Sequence, residues 1–163
     1  MYDAFMATLD GESEGSRLEQ YCSDLNFRAG NTNMAIRHAA AGGNTYMYFI
    51  RKPVTTPQLG AIHACEIPYL FDTCLPDPMG SGEIVSTEDC EFRHVAKEMW
   101  TNFARTGNPS TDKYVWKKFS GDDRQTMVFD DVIGMQKDLF GRREDLMMSW
   151  AERLGNGSSK RVC

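Results

Sequence analysis

The sequence predicts an α/β fold of which this chain holds only a part. Residues 45–50 are apolar on both faces, the pattern of a parallel strand buried between two layers of helices. A long amphipathic helix is predicted from Ser86, and a further strand over residues 126–129. A buried parallel strand needs neighbours on each side, and the sequence supplies too few strands to provide them. The chain is therefore expected to be a segment of a larger fold, or to pair with a partner that completes the sheet.

Length, composition and charge limit the classes of protein to which the chain can belong. Its 163 residues are enough for one domain, and 41% apolar with 25% charged residues is an ordinary globular composition that argues against disorder. The net charge of -5 argues against a nucleic-acid partner. No apolar run approaches the ~20 residues that span a bilayer. Residues 1–20 lack the basic start and apolar core of a signal peptide, so neither a membrane span nor a leader is predicted.

The first part of the chain is predicted to be a loop followed by two helices. Residues 1–16 are predicted to form an acidic loop or lead-in, because residues 10–16 are small, acidic and turn-forming. A short helix is predicted over residues 17–25. Asn31 or Thr32 is expected to cap a second helix, which ends at the glycine pair at 42–43.

The middle of the chain is predicted to contain a strand, a loop and the strongest helix. The strand over residues 45–50 is followed, after the segment described below, by a loop rich in proline and glycine over residues 72–84. Ser86 opens the helix and, with Asp89 three residues later, resembles a capping box. Apolar residues then recur at helical spacing until Gly107 ends the helix.

The last part of the chain is predicted to be a strand pair and a final helix. The strand over residues 126–129 is followed by a turn and a second short strand around Met135. The final helix is expected over residues 138–154, with a disordered tail over residues 155–163. No internal repeat and no domain boundary are visible, so residues 17–154 are read as one segment.

A histidine follows the first strand, beyond a polar loop. In α/β sheets ligands bind outside the carboxyl ends of the strands, so His63 is well placed for chemistry. Because an imidazole titrates near neutrality, it can take a proton and return it, which makes His63 a candidate general acid and base. Small residues on both sides leave room for a substrate acyl group. On spacing alone, a structural loop histidine is the competing interpretation.

Three segments share their order and spacing with one known family. They are Gly43-Asn44-Thr45-Tyr46-Met47-Tyr48-Phe49, His63-Ala64-Cys65-Glu66-Ile67-Pro68-Tyr69-Leu70-Phe71, and Trp100-Thr101-Asn102-Phe103-Ala104-Arg105-Thr106-Gly107-Asn108-Pro109-Ser110, the last followed by Trp116 and Phe119. The chain resembles the type B carboxylesterase family, the α/β-hydrolases that include the cholinesterases. The segments match the family's strand before its histidine, its histidine segment, and its late helix with the loop behind it. The resemblance covers roughly residues 20–154.

This resemblance implies carboxylic ester hydrolysis through an acyl-serine intermediate, with His63 as the catalytic histidine. It also implies the C-terminal part of an α/β-hydrolase fold. The nucleophile, the triad acid and the oxyanion-hole glycines are therefore expected outside this chain, and the chain alone is not expected to be a competent esterase. No cofactor is implied, and the expected partner is a small-molecule ester. The alternative is a non-catalytic adhesion or interaction domain, which the family also contains, or an inactive truncated fragment.

Glu66 and Cys65 lie close to His63 in sequence but are given lesser roles. The family places its triad acid far upstream of the histidine, so Glu66 is expected to support the site, as a helix cap or a hydrogen-bond acceptor. A metal pair formed by His63 and Glu66 is disfavoured, because no further histidine or clustered carboxylate stands nearby in sequence, and no metal is predicted. Cys65 is a nucleophile only in principle, because adjacent side chains rarely point at each other.

Residues 11–15 match the Gly-x-Ser-x-Gly pattern of a nucleophile elbow, with Ser13 at the serine position. The context argues against the match, because an elbow needs an apolar strand before the serine and a packed helix after it. Glu14 would also bring a negative side chain to the residue that supplies an oxyanion-hole amide. Ser13 is therefore a weak candidate nucleophile, and an acidic surface loop is the preferred interpretation.

The resemblance carries four further expectations. Family members dimerise through late helices, so a homodimer through the 138–154 helix is expected. Members of the family are commonly extracellular, so the resemblance implies an extracellular location. Its secreted cholinesterases carry a late disulfide whose positions fall near Ala29 and Met147, so the chain is expected to lack that bridge. Cys65 stands where the cholinesterases have a tyrosine, so a general ester hydrolase is expected rather than a choline-specific one.

Overall fold

A computed structural model describes residues 2–9, 13–52, 61, 63–71 and 90–158, and within them the chain forms helices and a three-stranded sheet. The elements are, in chain order, α1 (Tyr2–Met6), a 3-10 turn (Ala7–Leu9), α2 (Glu14–Ser23), a π-helical turn (Asp24–Arg28), α3 (Ala29–Ala40), β1 (Met47–Ile50), α4 (Ile67–Phe71), α5 (Cys90–Thr106), β2 (Gln125–Phe129), β3 (Gly134–Lys137) and α6 (Gly141–Ser158).

The sheet has the order β1-β2-β3 and confirms the three predicted strands. β1 runs parallel to β2, with Tyr48 opposite Met127, and β2 pairs antiparallel with β3. The prediction that the first strand is buried on both faces is wrong, because Tyr48 is exposed and only Ile50 is buried. β2 is instead buried along its whole length. The reason is position: β2 lies between two strands, whereas β1 pairs with β2 alone among the described strands.

The chain divides into two compact units, although the sequence suggested no boundary. The helical unit comprises Met1–Thr45, Ser120–Asp123 and Asp138–Cys163, and the sheet unit comprises Tyr46–Phe119 and Arg124–Lys137. Each unit therefore draws on separate parts of the chain, which is why a scan along the sequence finds no boundary.

The two helices predicted in the first part of the chain are one continuous helical stretch. α2, the π turn and α3 follow one another without a break, so the predicted helix start at Asn31 or Thr32 is wrong. Arg28, just before α3, is itself helical and provides no side-chain cap. Thr32 is fully buried, and its hydroxyl donates to the Glu144 carboxylate at 2.6 Å. The predicted stop is confirmed, because Gly42 adopts a φ of 85°, which favours glycine.

Residues 2–9 are helical, whereas the sequence indicated a loop. Phe5 and Leu9 are buried in a cluster with Ala29 of α3 and Met147 of α6. Burial of these side chains stabilises helical structure despite the turn-forming residues that follow. Because the burial depends on residues far along the chain, local composition does not reveal it. Ala29 and Met147 are the two positions at which the resemblance places the missing disulfide, and here they share one apolar cluster.

The core of the sheet unit is aromatic. Phe129 at the end of β2 is fully buried and meets the rings of Phe92, Trp100 and Trp116 at centroid distances of 5.4, 5.8 and 5.9 Å. The Trp116 indole N–H donates to the Met47 carbonyl at 3.2 Å, which satisfies a polar group beside the core. Further buried side chains complete the cluster: Ile50, Cys65, Tyr69, Val95, Ala96, Met99 and Met127.

The predicted amphipathic helix is confirmed as α5. It ends at Thr106, and Gly107 follows with a φ of 73°, as expected of a glycine stop. Phe103, one of the apolar residues that recur at helical spacing, is exposed rather than buried. The predicted cap at Ser86 and Asp89 and the predicted loop at 72–84 lie outside the described residues.

The final helix, α6, begins at Gly141 and ends at Ser158, so it is shifted relative to the predicted range of 138–154. A turn precedes it, in which the Gly141 N–H donates to the Asp138 carbonyl at 3.2 Å. Residues 155–158 belong to α6 rather than to a disordered tail, and residues 159–163 lie outside the described part. In that described part, no helix is both long and apolar enough to cross a membrane.

Candidate active site

The candidate site is built on the turn of residues 63–66, here called the histidine turn, which leads into α4. β1 ends upstream of it, where the amides of Arg51 and Lys52 both donate to the Phe129 carbonyl at 2.8 and 3.1 Å. In the turn, Ala64 has a φ of 64°, a left-handed conformation that costs a residue with a side chain about 1–2 kcal/mol. Such strain persists only where surrounding contacts impose it, and it is common at functional sites.

The contacts that impose it are two buried side chains and a proline. Cys65 and Tyr69 both belong to the core of the sheet unit. Pro68 is buried in the first turn of α4, where a residue without an N–H is tolerated. His63 itself is exposed. Because its neighbours are fixed in the core, the histidine turn presents His63 at the surface on a rigid support.

Glu66 closes the histidine turn with both its backbone and its side chain. Its carbonyl accepts hydrogen bonds from the amides of Tyr69 and Leu70, each at 3.1 Å. Its carboxylate Oε1 accepts a hydrogen bond from the Tyr48 hydroxyl at 3.2 Å. Partial burial and the nearby Glu66 charge raise the pKa of Tyr48 to about 12, so the phenol stays protonated and able to donate. Tyr48 was not among the predicted site residues, because a tyrosine within a strand carries no signal of a partner in a distant turn.

The Cys65 thiol is kept neutral. Burial, and then the Glu66 charge, raise the pKa of Cys65 to about 12. A thiol with such a pKa is almost entirely protonated at neutral pH, and only the thiolate is a good nucleophile. The geometry therefore assigns Cys65 to packing, in agreement with its low ranking from sequence.

This assignment gives a measurable difference between two cysteines. On brief treatment of the folded chain with iodoacetamide at neutral pH, we expect Cys22, which is exposed, to be alkylated and Cys65 to remain unmodified. Peptide mapping by mass spectrometry separates the two. Denaturation before labelling should make both react, which serves as the control. Equal modification of Cys65 in the folded chain would contradict the assignment.

Ser13, the weak candidate nucleophile, is the N-cap of α2. Its backbone is extended, with φ −65° and ψ 157°, and its hydroxyl accepts the Ser16 amide at 3.2 Å. Glu14 follows in the first helical turn, where a carboxylate is favoured by the helix dipole. The nearest described residues before Ser13 are helical, whereas an elbow requires a strand. Ser13 lies in the helical unit and His63 in the sheet unit.

The other two histidines, His38 and His94, lie in α3 and α5. His38 Nδ1 lies 2.8 Å from the Thr45 hydroxyl, at the end of α3, and His94 is exposed on α5. The His38 ring packs so closely over Gly43 that a side chain at that position would overlap it. Across the described ranges, no group of three or more histidine, cysteine or acidic residues is arranged to hold a metal ion.

Comparison with known proteins extends these observations. Residues 1–146 match the sequence model of the carboxylesterase family. The para-nitrobenzyl esterase of Bacillus subtilis is 31% identical over 109 residues, which is 64% of this chain and 22% of that protein. The bile salt-activated lipase of Bos taurus is 38% identical over 79 residues, 44% of this chain and 12% of that protein. The chain thus spans less than a quarter of the length of these relatives.

Solved structures agree on the fold. A carboxylesterase of Geobacillus stearothermophilus superposes on 85% of this chain and 29% of its own, with a TM-score of 0.67 and 25% identity. A PNB esterase covers 90% of this chain and 33% of its own, with the same TM-score and 22% identity, a level that supports the fold alone. The predicted fold class, part of an α/β-hydrolase with flanking helices, is therefore confirmed. By its sequence match and its fold, the chain belongs to the carboxylesterase family.

Proposed function

We propose that this chain supplies the catalytic histidine, His63, to a site that hydrolyses carboxylic esters. The observation that carries the proposal is the histidine turn: a strained Ala64 and a buried Cys65 present an exposed His63 in a chain of the carboxylesterase family. A histidine with a merely structural role would not need this combination of strain beside it and exposure of its ring.

In the proposed reaction, His63 acts twice. It takes the proton of a serine hydroxyl as the oxygen attacks the ester carbonyl, and it then gives that proton to the departing alcohol. A water molecule, activated by the same imidazole, releases the acid from the acyl-serine intermediate and restores the serine. The serine, the triad acid and the oxyanion-hole amides are proposed to come from sequence outside this chain. Cys65 does not compete for the proton, because its thiol stays protonated.

The proposed substrate class is small carboxylic esters in general. Relatives of this chain include proteins named para-nitrobenzyl esterase, acetylcholinesterase and bile salt-activated lipase, so the shared property is the reaction class rather than one substrate. No cofactor enters the proposed mechanism.

The test is a chimera. In it, the part of the Bacillus subtilis para-nitrobenzyl esterase that aligns with this chain is replaced by this chain. We expect the chimera to hydrolyse a p-nitrophenyl ester and to react with a fluorophosphonate probe at the host serine. The isolated chain should do neither, because Ser13 is a helix cap rather than an activated nucleophile.

Two results would contradict the proposal. One is a fluorophosphonate adduct at Ser13 of the isolated chain, which would make the short elbow real. The other is a folded chimera that neither reacts with the fluorophosphonate probe nor hydrolyses the p-nitrophenyl ester, which would favour the non-catalytic interaction domain. If the full chimera does not fold, a smaller graft of the histidine turn with α4 into the same host repeats the test.

The homodimer through the last helix stays a prediction. α6 uses Met147 inside its own unit, where that side chain is fully buried. Two other apolar residues of α6, Leu146 and Trp150, are only partly buried. The proposed dimer would use these two side chains.

A further inference from the structure

We propose that Tyr48 is a positioning residue for His63, acting through its hydrogen bond to Glu66. The proposal rests on the proposed function of His63. It concerns the link between a strand of the sheet and the turn that carries the histidine, which nothing in the sequence pattern points to.

Tyr48 is held firmly at one end of this link. It lies in β1, paired with Met127 of the central strand, and its ring meets Trp100 edge-on at a centroid distance of 4.9 Å. The rings of Trp116 and Phe129 follow at 6.4 Å each. The hydroxyl is therefore presented from a strand and an aromatic cluster, the kind of rigid support that a precise site needs.

Glu66 transmits the constraint at the other end. The Tyr48 hydroxyl donates to Oε1 of Glu66, and the backbone carbonyl of the same residue accepts hydrogen bonds from the amides of Tyr69 and Leu70 in α4. Ala64, two residues earlier, has the left-handed conformation and accepts the Ile67 amide at 3.2 Å. A hydrogen bond that fixes the Glu66 side chain therefore restricts the histidine turn, and with it the direction in which His63 leaves the backbone.

The chain offers a matched control for this pair. The Tyr114 hydroxyl donates to Oε1 of Glu91 at 3.3 Å, almost the same length as the bond from Tyr48 to Glu66. Tyr114 and Glu91 belong to the sheet unit as well, but neither lies in the histidine turn. The Tyr114→Phe variant removes a tyrosine–glutamate hydrogen bond without touching the residues around His63.

The experiment uses nuclear magnetic resonance on the full chain. Its three histidines give few imidazole signals, which His63→Gln and His94→Gln assign. In Tyr48→Phe, we expect the His63 signal to shift and the amides of Tyr69 and Leu70 to exchange roughly three- to ten-fold faster, the factor that corresponds to one net hydrogen bond. The His94 signal should not move. Tyr114→Phe should leave the His63 signal and the exchange of the Tyr69 and Leu70 amides unchanged.

Glu66 variants decide whether the hydrogen bond is responsible. Glu66→Gln keeps an acceptor oxygen and should behave like the unsubstituted chain, whereas Glu66→Ala should reproduce Tyr48→Phe. Combining Tyr48→Phe with Glu66→Ala should speed amide exchange no more than either substitution alone, because both remove the same interaction. If Tyr48→Phe also speeds amide exchange in α5, the substitution has loosened the whole sheet unit. The comparison of Glu66→Gln with Glu66→Ala then decides whether the hydrogen bond positions His63.

Several outcomes would overturn the positioning role. These are an unchanged His63 signal in Tyr48→Phe, equal effects of Glu66→Gln and Glu66→Ala, or the same shift in Tyr114→Phe. None of these measurements needs catalysis, so failure of the proposed function and failure of this inference are separate results. The chimera tests whether His63 reacts, and the isolated chain tests whether Tyr48 holds its turn.

Discussion

Replacing His63 with alanine in the chimera should lower kcat/KM for a p-nitrophenyl ester by roughly 10⁴-fold. Without the imidazole, nothing takes the proton from the serine or returns it to the leaving alcohol, and the two losses fall on the same step. The remaining activity reflects binding and oxyanion stabilisation by the host. Because the lost interaction is made only in the transition state, kcat should account for most of the decrease and KM for little of it.

The matched control is His94→Ala, which removes another exposed histidine of the sheet unit. We expect it to leave kcat/KM within about two-fold, since exposed substitutions away from special features are usually within ±0.5 kcal/mol. Steady-state kinetics measures both variants, and thermal unfolding shows that both chimeras are folded. Retention of most of the activity by His63→Ala would remove His63 from the mechanism.

Replacing Asp24 with alanine should destabilise the helical unit by about 3–5 kcal/mol, the usual consequence of removing one partner from a buried ion pair. Asp24 is 1% exposed and contacts two guanidinium groups. Arg143 Nε lies 2.9 Å from its Oδ2, and Arg28 pairs with its other oxygen. Both arginine side chains are also largely buried, so the alanine variant would leave two positive charges in a low-dielectric interior with the Glu144 carboxylate as their remaining buried counter-ion.

The pKa values show why the loss of stability in Asp24→Ala comes from charges left unpaired rather than from the removal of a favourable salt bridge. Burial raises the pKa of the Asp24 carboxyl even though two arginines oppose the shift, and burial lowers the pKa of Arg28 to about 10. For both groups, the cost of desolvation therefore exceeds the attraction between opposite charges in the Asp24 cluster, which comprises Asp24, Arg28, Arg143 and Glu144. Glu144 is the second buried carboxylate beside these groups. Replacing Asp24, Arg28 and Arg143 with leucine and Glu144 with glutamine, which removes all four charges together, should accordingly cost less than Asp24→Ala alone.

Urea unfolding followed by circular dichroism measures these differences, and amide hydrogen exchange localises them to α2, α3 and α6. Glu19→Ala is the matched control, because Glu19 is an exposed acid of α2 in the same unit. We expect it to change the free energy of unfolding by about 0.5 kcal/mol or less. A similar small change in Asp24→Ala would show that the two arginines find other partners or water.

Elements with a regular pattern could be predicted from the sequence. The repeat of apolar residues in α5 and the β-branched and aromatic run of β2 reflect local periodicity, and both elements were predicted. The short helix at residues 2–9 was not, because its stability comes from Phe5 and Leu9 packing onto residues far along the chain. The break expected before Thr32 was wrong for the same kind of reason: Thr32 is held by Glu144, 112 residues away.

By itself, the sequence determined the family, the α/β class and His63 as the candidate general acid and base, because motif order and apolar periodicity are local properties of the chain. Only the tertiary structure decided which strand is buried on both faces, since burial depends on neighbouring strands. It also decided which groups surround the histidine turn and the Asp24 cluster. Tyr48 meets Glu66 across 18 residues and Arg143 meets Gln20 across 123, and no local pattern encodes such a contact. Such contacts form only when the folded chain brings polar groups together that are distant in sequence.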